Sequence, residues 1–357
     1  MNYKIQIDGL RFFAIISVMI GHWMAWETEN RILKHAPWGH GVILFFVISG
    51  FLITSILLNQ KQQIEENKTS IGKALKTFYI RRFFRIFPIY YLLIFYLFYI
   101  DYPNTRELFV WLITYSTNIY QGITTEYIGN FSHFWSLAVE EQFYIIWPVL
   151  LFLVPQKHLM KFFIITIVLS FLSRFGCIML FREKWMLAAY FTPNLFLPLV
   201  LGAMLALLKK EHVVWFFNFF KPVYAFAAFA VYVCIYYFFG YANPSNIYIK
   251  LFDEYVFSIV SALFVAVAAT DSFSNISRFI LENKFVNYIG KISYGIYVYH
   301  LFMINFFWDV FTKETRITTD SKHTAWFFYF FICISLASLS FYLIEKPINK
   351  LKDRFKY

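Results

Sequence analysis

The run HFWSLAVEEQFYIIWP, residues 133–148, sets two adjacent carboxylates, Glu140 and Glu141, inside an apolar and aromatic segment. An ionisable group at membrane depth costs a few kcal/mol on insertion, roughly 3 by translocon scales, so such residues are functional candidates by default. The competing structural reading is a helix start with Ser136 as N-cap and acid favoured by the helix dipole. A capping box, however, needs its Glu three residues after the cap, whereas Glu140 and Glu141 come four and five after Ser136. The dipole accounts for one carboxylate, not for a pair flanked by His133, Trp135 and Phe143. A carboxylate beside a histidine holds its tautomer and stabilises imidazolium, as a general base requires.

The histidine is offered by IDGLRFFAIISVMIGH, residues 7–22. Arg11 and His22 are eleven positions apart and return to nearly one helix face, which Asp8 shares. Asp8 and Arg11 also read as an interfacial ion pair anchoring a helix end. His22 lies about 20 Å along the axis from Asp8, in the outer half of a bilayer. A buried histidine hydrogen-bonded to a neighbouring helix is the plainer alternative for it.

A third group is FYIRRFFRIFPIY, residues 78–90, with Arg81, Arg82 and Arg85 in five positions. Basic residues at a helix end serve topology and lipid headgroups. Arginine without lysine is more particular, because its planar fork binds phosphate bidentately. The cluster reads as a site for a phosphorylated cytoplasmic molecule. Finally, IGKISYGIYVYH, residues 289–300, carries Ser293, Tyr297 and His300 at i, i+4 and i+7, a polar face on one helix. It suits substrate positioning and an interhelical hydrogen bond equally. Glu345, in FYLIEKP, ends the last apolar run beside basic neighbours.

The elements that must position these groups follow from composition. The chain has 357 residues, 60% hydrophobic, 23% aromatic and 15% charged, against about 25% charged in soluble domains. So much Phe and Tyr does not fit one soluble core; the medium is lipid. A spanning helix needs roughly 20 apolar residues, and ten runs qualify or nearly so: 10–26, 40–58, 84–100, 137–154, 161–181, 190–208, 222–240, 250–270, 291–311 and 325–345. The run 108–120 is read as surface-lying. The first run lacks a small-residue cleavage site and reads as a retained helix. The predicted fold is all-α: one membrane domain over 1–357 of about ten transmembrane helices, both termini cytoplasmic, with no appended soluble domain.

Lysine and arginine set the orientation. Segment 59–83 carries Lys61, Lys68, Lys73, Lys76, Arg81 and Arg82, and the C-terminal tail adds Lys346, Lys350, Lys352, Arg354 and Lys356. Segment 101–136 has Arg106 alone. The bias fits the positive-inside rule. The net charge of +11 therefore reflects cytoplasmic loops facing anionic membrane lipid, and calls for no nucleic acid. Cys177, Cys234 and Cys333 are scattered through apolar runs, which suggests neither a disulfide framework nor a metal site.

Taken together, arginines face the cytoplasm while a histidine and carboxylates lie outward. An acyl-CoA has the matching shape, with a phosphorylated head, a thin arm and a thioester tip. His22, oriented by Glu140 or Glu141, would deprotonate an acceptor hydroxyl, with Arg11 or Ser/Tyr donors stabilising the oxyanion. Alternatively, the acyl group is parked on a protein nucleophile first.

In order, IDGLRFFAIISVMIGH, FFVISGFLIT, IRRFFRIFPIY, HFWSLAVEEQFYIIWP, IGKISYGIYVYH and FYLIEKP resemble the motifs of the acyltransferase-3 family of integral membrane acyltransferases. The resemblance covers nearly the whole chain and implies a ten-helix bundle in a bacterial inner membrane. It implies transfer of acyl groups, usually acetyl, from cytoplasmic acetyl-CoA, without a metal, to a sugar hydroxyl of a surface, exported or lipid-linked glycan. It marks His22 as the essential histidine, Arg11 as a functional arginine, and Arg82, Arg85 and the VEEQF glutamate as important. Trp135, His133, Tyr297 and His300 are expected to contact substrate. Many relatives add an esterase-like domain, so a partner protein for the final transfer is an expectation beside direct transfer. A membrane transporter of a glycan or acyl-bearing molecule also explains intramembrane charge, although no paired half-repeats are seen. A purely structural protein would leave such charges without return.

Overall fold

The computed structural model describes residues 4–23, 36–240, 247–315 and 322–355, although several side chains within this, among them 304–315, are not described. Every regular element among them is helical, as backbone in hydrocarbon must satisfy its own hydrogen bonds. In chain order the helices are α1 (Ile5–Trp23), α2 (Gly41–Glu65), α3 (Ile71–Tyr99), α4 (Thr105–Ile113), α5 (Thr117–Thr124), α6 (Phe134–Leu153) and α7 (Leu159–Leu180). They continue with α8 (Trp185–Tyr190), α9 (Phe196–Glu211), α10 (Val213–Phe219), α11 (Pro222–Ile235), α12 (Ile247–Ala269), α13 (Asn275–Leu281) and α14 (Lys284–Thr315). Last come α15 (Lys322–Ser340), a π-helical turn (Phe341–Glu345) and α16 (Lys346–Leu351).

Eight helical stretches among the described residues are long and apolar enough to cross a membrane, and Pro222–Phe238 is a shorter apolar helix. The 32-residue α14 occupies the ninth predicted span. Residues 24–26 of the first predicted span, the side chains of 304–311 in the ninth, and Lys356 lie outside what is described.

Lipid gives helices no hydrophobic reason to associate, so close packing of small residues and buried polar contacts must hold them. Both are present. At the α2–α9 crossing, a Cβ on Gly50 would fall 1.8 Å from the Leu199 carbonyl oxygen, and one on Gly202 2.1 Å from that of Val47. Each glycine is the hole into which the other helix's backbone fits. Trp147 Nε1 donates to Thr54 Oγ1 at 2.8 Å, joining α6 to α2. Buried Lys61 donates to the Leu151 and Phe152 carbonyls, at 3.2 and 3.3 Å, capping the end of α6 as a cation should.

The 108–120 run breaks at Tyr115, whose φ is 50°, into α4 and α5, which pack on the bundle with Leu112, Asn118 and Gln121 fully buried. Its polar groups are taken up by neighbours: Tyr90 and Tyr91 hydroxyls donate to the Leu112 and Ile113 carbonyls at 2.9 and 2.8 Å, and Gln142 donates to the Tyr115 carbonyl at 2.8 Å. Irregular backbone at depth is tolerable when protein satisfies it in this way. The predicted span 190–208 is matched by the membrane-length stretch Thr192–Glu211, which opens on a 3-10 turn with Pro193 (Thr192–Leu195) before α9 begins.

Candidate active site

The α1, α2, α3, α6 and α14 helices and the π-helical turn enclose a cavity of about 1030 Å³. One end is the lysine-rich rim of the bundle, with Lys4, Lys346, Lys350 and Lys352; the walls carry Asp8, Arg11, Arg82 and Arg85; the floor includes Ser136 and Tyr297.

The walls gather most of the expected charges. The Asp8 and Arg11 pair is 3.5 Å apart. A Cβ on Gly290 would lie 1.9 Å from the Asp8 carbonyl oxygen, so α14 meets α1 closely at this level. Arg82 lies with its guanidinium carbon 5.2 Å from the Tyr144 ring centre and 5.7 Å from that of Phe78, sandwiched in a cation–π arrangement. Arg85 lines the same wall; among the described residues it makes no hydrogen bond or ion pair, so its donors face the cavity. Arg81 differs from its two neighbours, since it donates to the Lys352 and Phe355 carbonyls at 3.0 and 2.6 Å.

Glu140 accepts hydrogen bonds from Ser49 Oγ at 2.7 Å and from the Tyr144 hydroxyl at 3.3 Å. Glu141 is buried and lines the cavity. Glu345, expected to pair with a basic neighbour, makes no ion pair among the described residues: the π-helical turn aims it into the cavity and leaves its Oε1 without a hydrogen bond.

The expected partnership of His22 with Glu140 or Glu141 is corrected. Seven and eight residues separate these acids from His133 at the head of α6, about 11 Å of helix, which carries them below the level of His22. His22 instead meets His300, with Nδ1 2.9 Å from Nε2. His300 Nδ1 is 2.7 Å from the Tyr297 carbonyl oxygen. That oxygen only accepts, so His300 Nδ1 carries a hydrogen and, in the neutral ring, Nε2 holds a lone pair. His22 Nδ1–H must then donate to it, which leaves the lone pair of His22 on Nε2. His22 is exposed, whereas His300 is fully buried behind it.

Arg11 is likewise moved. Eleven residues put it about 16 Å along α1 from His22, too far to share one reacting carbonyl with it. Tyr297 lies between the two levels: its hydroxyl is 2.5 Å from Ser136 Oγ and 3.0 Å from the His133 carbonyl oxygen, and its ring centre is 5.4 Å from that of His300. Of the expected polar stripe, Ser293 and Tyr297 line the cavity and His300 lies beyond it. Ser136 and Tyr297 line the cavity, and His22 does not.

His133 is buried, with its ring 4.7 Å from that of His300 and neither nitrogen hydrogen-bonded. Trp135 stacks on Tyr190 at 4.5 Å and packs on Phe46, outside the cavity. His40, not singled out from sequence, has Nδ1 3.1 Å from the Pro37 carbonyl oxygen and Nε2 2.8 Å from Asp253. Ser49 and Tyr144 were also missed, although Tyr144 stands one helical turn after Glu140. No group of His, Cys, Asp and Glu among the described residues could hold a metal.

Comparison with known proteins places this geometry. A family model described as an acyltransferase domain, acyltransferase-3, matches residues 4–345. The chain is 29% identical over 98% of its length to the peptidoglycan O-acetyltransferase OatA of Listeria monocytogenes, covering 56% of that protein. It is 28% identical over 98% to the putative peptidoglycan O-acetyltransferase YrhL of Bacillus subtilis, covering 55%, and 26% identical over 98% to the O-acetyltransferase OatA of Staphylococcus aureus, covering 58%. The chain thus spans a little over half the length of these relatives. No solved structure matches it.

Proposed function

Because this chain belongs to the acyltransferase-3 family of membrane acyltransferases, we propose that it moves an acetyl group from cytoplasmic acetyl-CoA to a hydroxyl of a surface glycan, in the cytoplasmic membrane of a bacterium. Peptidoglycan, named for two of the relatives, is the first acceptor to test. The reading rests on one observation above all: a guanidinium-walled cavity reaches Tyr297, whose ring lies 5.4 Å from that of His300, the hydrogen-bond partner of His22.

The dimensions agree with the donor. The pantetheine arm is roughly four to five amino-acid lengths, about 16 Å extended at 3.3–3.6 Å each. Arg11 and His22 are separated by about the same axial rise. Pyrophosphate among Arg82, Arg85 and Arg11 makes charge-assisted bidentate hydrogen bonds, and the thioester then reaches the Tyr297–Ser136 floor. Tyr297 must swing aside for the thioester to meet the acceptor. His22 Nε2 takes the hydroxyl proton as that oxygen attacks the thioester carbonyl, His300 Nε2 stabilises the imidazolium by accepting from His22 Nδ1–H, and the Tyr297 hydroxyl, freed from Ser136, donates to the oxyanion. The tetrahedral intermediate collapses, expelling the CoA thiolate, which takes up the proton.

A second reading, in which the acyl group passes to a separate partner protein, draws on the greater length of the relatives. The transporter reading lacks support from paired repeats. Mass spectrometry of surface glycan from cells with and without the gene tests the proposal: loss of acetyl mass, restored by wild type and not by His22→Ala, is expected. Unchanged acetylation would overturn it.

A further inference from the structure

The wall arginines are not equivalent, and the difference points to the mouth of the cavity. Arg81, Arg82 and Arg85 all line the cavity, but Arg81 also donates to the carbonyls of Lys352 and Phe355, and Phe84 meets Phe355 with ring centres 6.4 Å apart. These contacts pin the last described turn against α3. The helix that leads into this turn, α16, starts one residue beyond the stretch that the family model matches. Its Lys346 and Lys350 stand at i and i+4, on one face, and both line the cavity mouth. Both are exposed. Lys346 is held with its Nζ 5.2 Å from the Tyr342 ring centre, and Lys350 makes no hydrogen bond or ion pair among the described residues. Lys4, at the same mouth, is already paired with Asp271 at 2.7 Å.

We propose that α16 is a phosphate-reading rim: Lys346 and Lys350 bind the phosphomonoester on the ribose of the donor nucleotide, and Arg81 holds the turn that follows them. The assignment rests on the acyl-CoA reading. An ammonium is a compact point charge with rotatable donors, suited to a phosphomonoester dianion at a solvent-facing edge, whereas the deeper guanidinium forks suit a fixed pyrophosphate. Continuity of the two lysines with the arginine wall in a single cavity favours a nucleotide over a lipid headgroup, whose phosphate would approach from the bilayer side.

The test is equilibrium binding of acetyl-CoA and of 3′-dephospho-acetyl-CoA to the purified full chain, in nanodiscs of zwitterionic lipid and of zwitterionic plus anionic lipid. Wild type should prefer acetyl-CoA by about tenfold or more, the size of a charged hydrogen-bond contribution. The double variant Lys346→Gln/Lys350→Gln should bind acetyl-CoA only as tightly as the dephospho donor, whose own affinity stays put. Arg81→Gln should do the same by releasing α16, while Arg85→Gln weakens both donors by one factor and keeps their ratio. A wild-type ratio near one, or a ratio that survives in the double variant, overturns the assignment. So does an effect on both donors alike that is seen only with anionic lipid, since the lysines would then be meeting headgroups. Wild type binding neither donor would bring down the acyl-CoA reading itself, and this assignment with it.

Discussion

His22 Nδ1 and His300 Nε2 lie 2.9 Å apart, and among the described residues no carboxylate reaches His22. Its orienting partner is therefore a neutral imidazole, itself fixed by a backbone carbonyl at 2.7 Å. This relay orients His22, the proposed base, without burying a second charge beside it.

The relay makes His300 a positioning residue. His300→Ala should lower the transfer rate about 10²-fold, within the span of general-base effects, and leave donor affinity unchanged. His300→Gln should recover part of the loss, because an amide oxygen can still accept from His22 Nδ1–H. A rescue no better than alanine, measured under saturating donor, would reduce His300 to packing.

Glu140 lines the arginine-walled cavity, the proposed donor site. Since Ser49 donates to one of its oxygens and Tyr144 to the other, Glu140→Gln removes the charge, keeps an acceptor for one hydroxyl and sets an NH2 against the other, which can accept from it. It should change donor affinity by about three- to tenfold, with the pH profile of transfer unmoved. A displaced pH profile would return Glu140 to the base.

Arginine geometry should matter more than charge. Arg82→Lys and Arg85→Lys preserve the cation but lose the planar fork, and each should weaken acetyl-CoA binding by about tenfold. Titration calorimetry showing wild-type affinity for both would remove pyrophosphate from this wall.

The scaffold is testable through two glycines. Gly50→Ala sets a Cβ 1.8 Å from the Leu199 carbonyl oxygen, whereas Gly72 has open space around it. Thermal unfolding in detergent should show Gly50→Ala destabilised by about 1–3 kcal/mol. Gly72→Ala should be neutral or stabilised by up to about 1 kcal/mol. Equal melting temperatures would mean that the α2–α9 crossing is not as close as described.

The helical membrane bundle was legible because apolar runs of membrane length and the lysine bias are properties of the linear chain. So were His22, Arg11, Arg82, Arg85, Tyr297 and His300 as residues out of place in hydrocarbon. Their pairing was not. Helical periodicity ranks residues by face and depth, and Glu140 and His22 were estimated to share a level; α6 instead begins at Phe134, which carries the acids a further turn inward. Nor could spacing reveal that Arg81, adjacent to Arg82, turns to the C-terminal carbonyls: neighbours in a helix point about 100° apart, and only tertiary packing decides what each meets. The burial of α4 and α5 was hidden for a related reason. Their partners, Tyr90, Tyr91 and Gln142, lie far off in sequence.

The most direct test is single-turnover transfer of radiolabelled acetyl from acetyl-CoA, by purified wild type and His22→Ala, to a peptidoglycan-derived oligosaccharide, with donor binding measured on the same samples. Both proteins should bind acetyl-CoA with equal affinity, and transfer by His22→Ala should fall about 10³-fold. Transfer by His22→Ala at a near-normal rate would contradict the account, as would a wild type that never binds the donor.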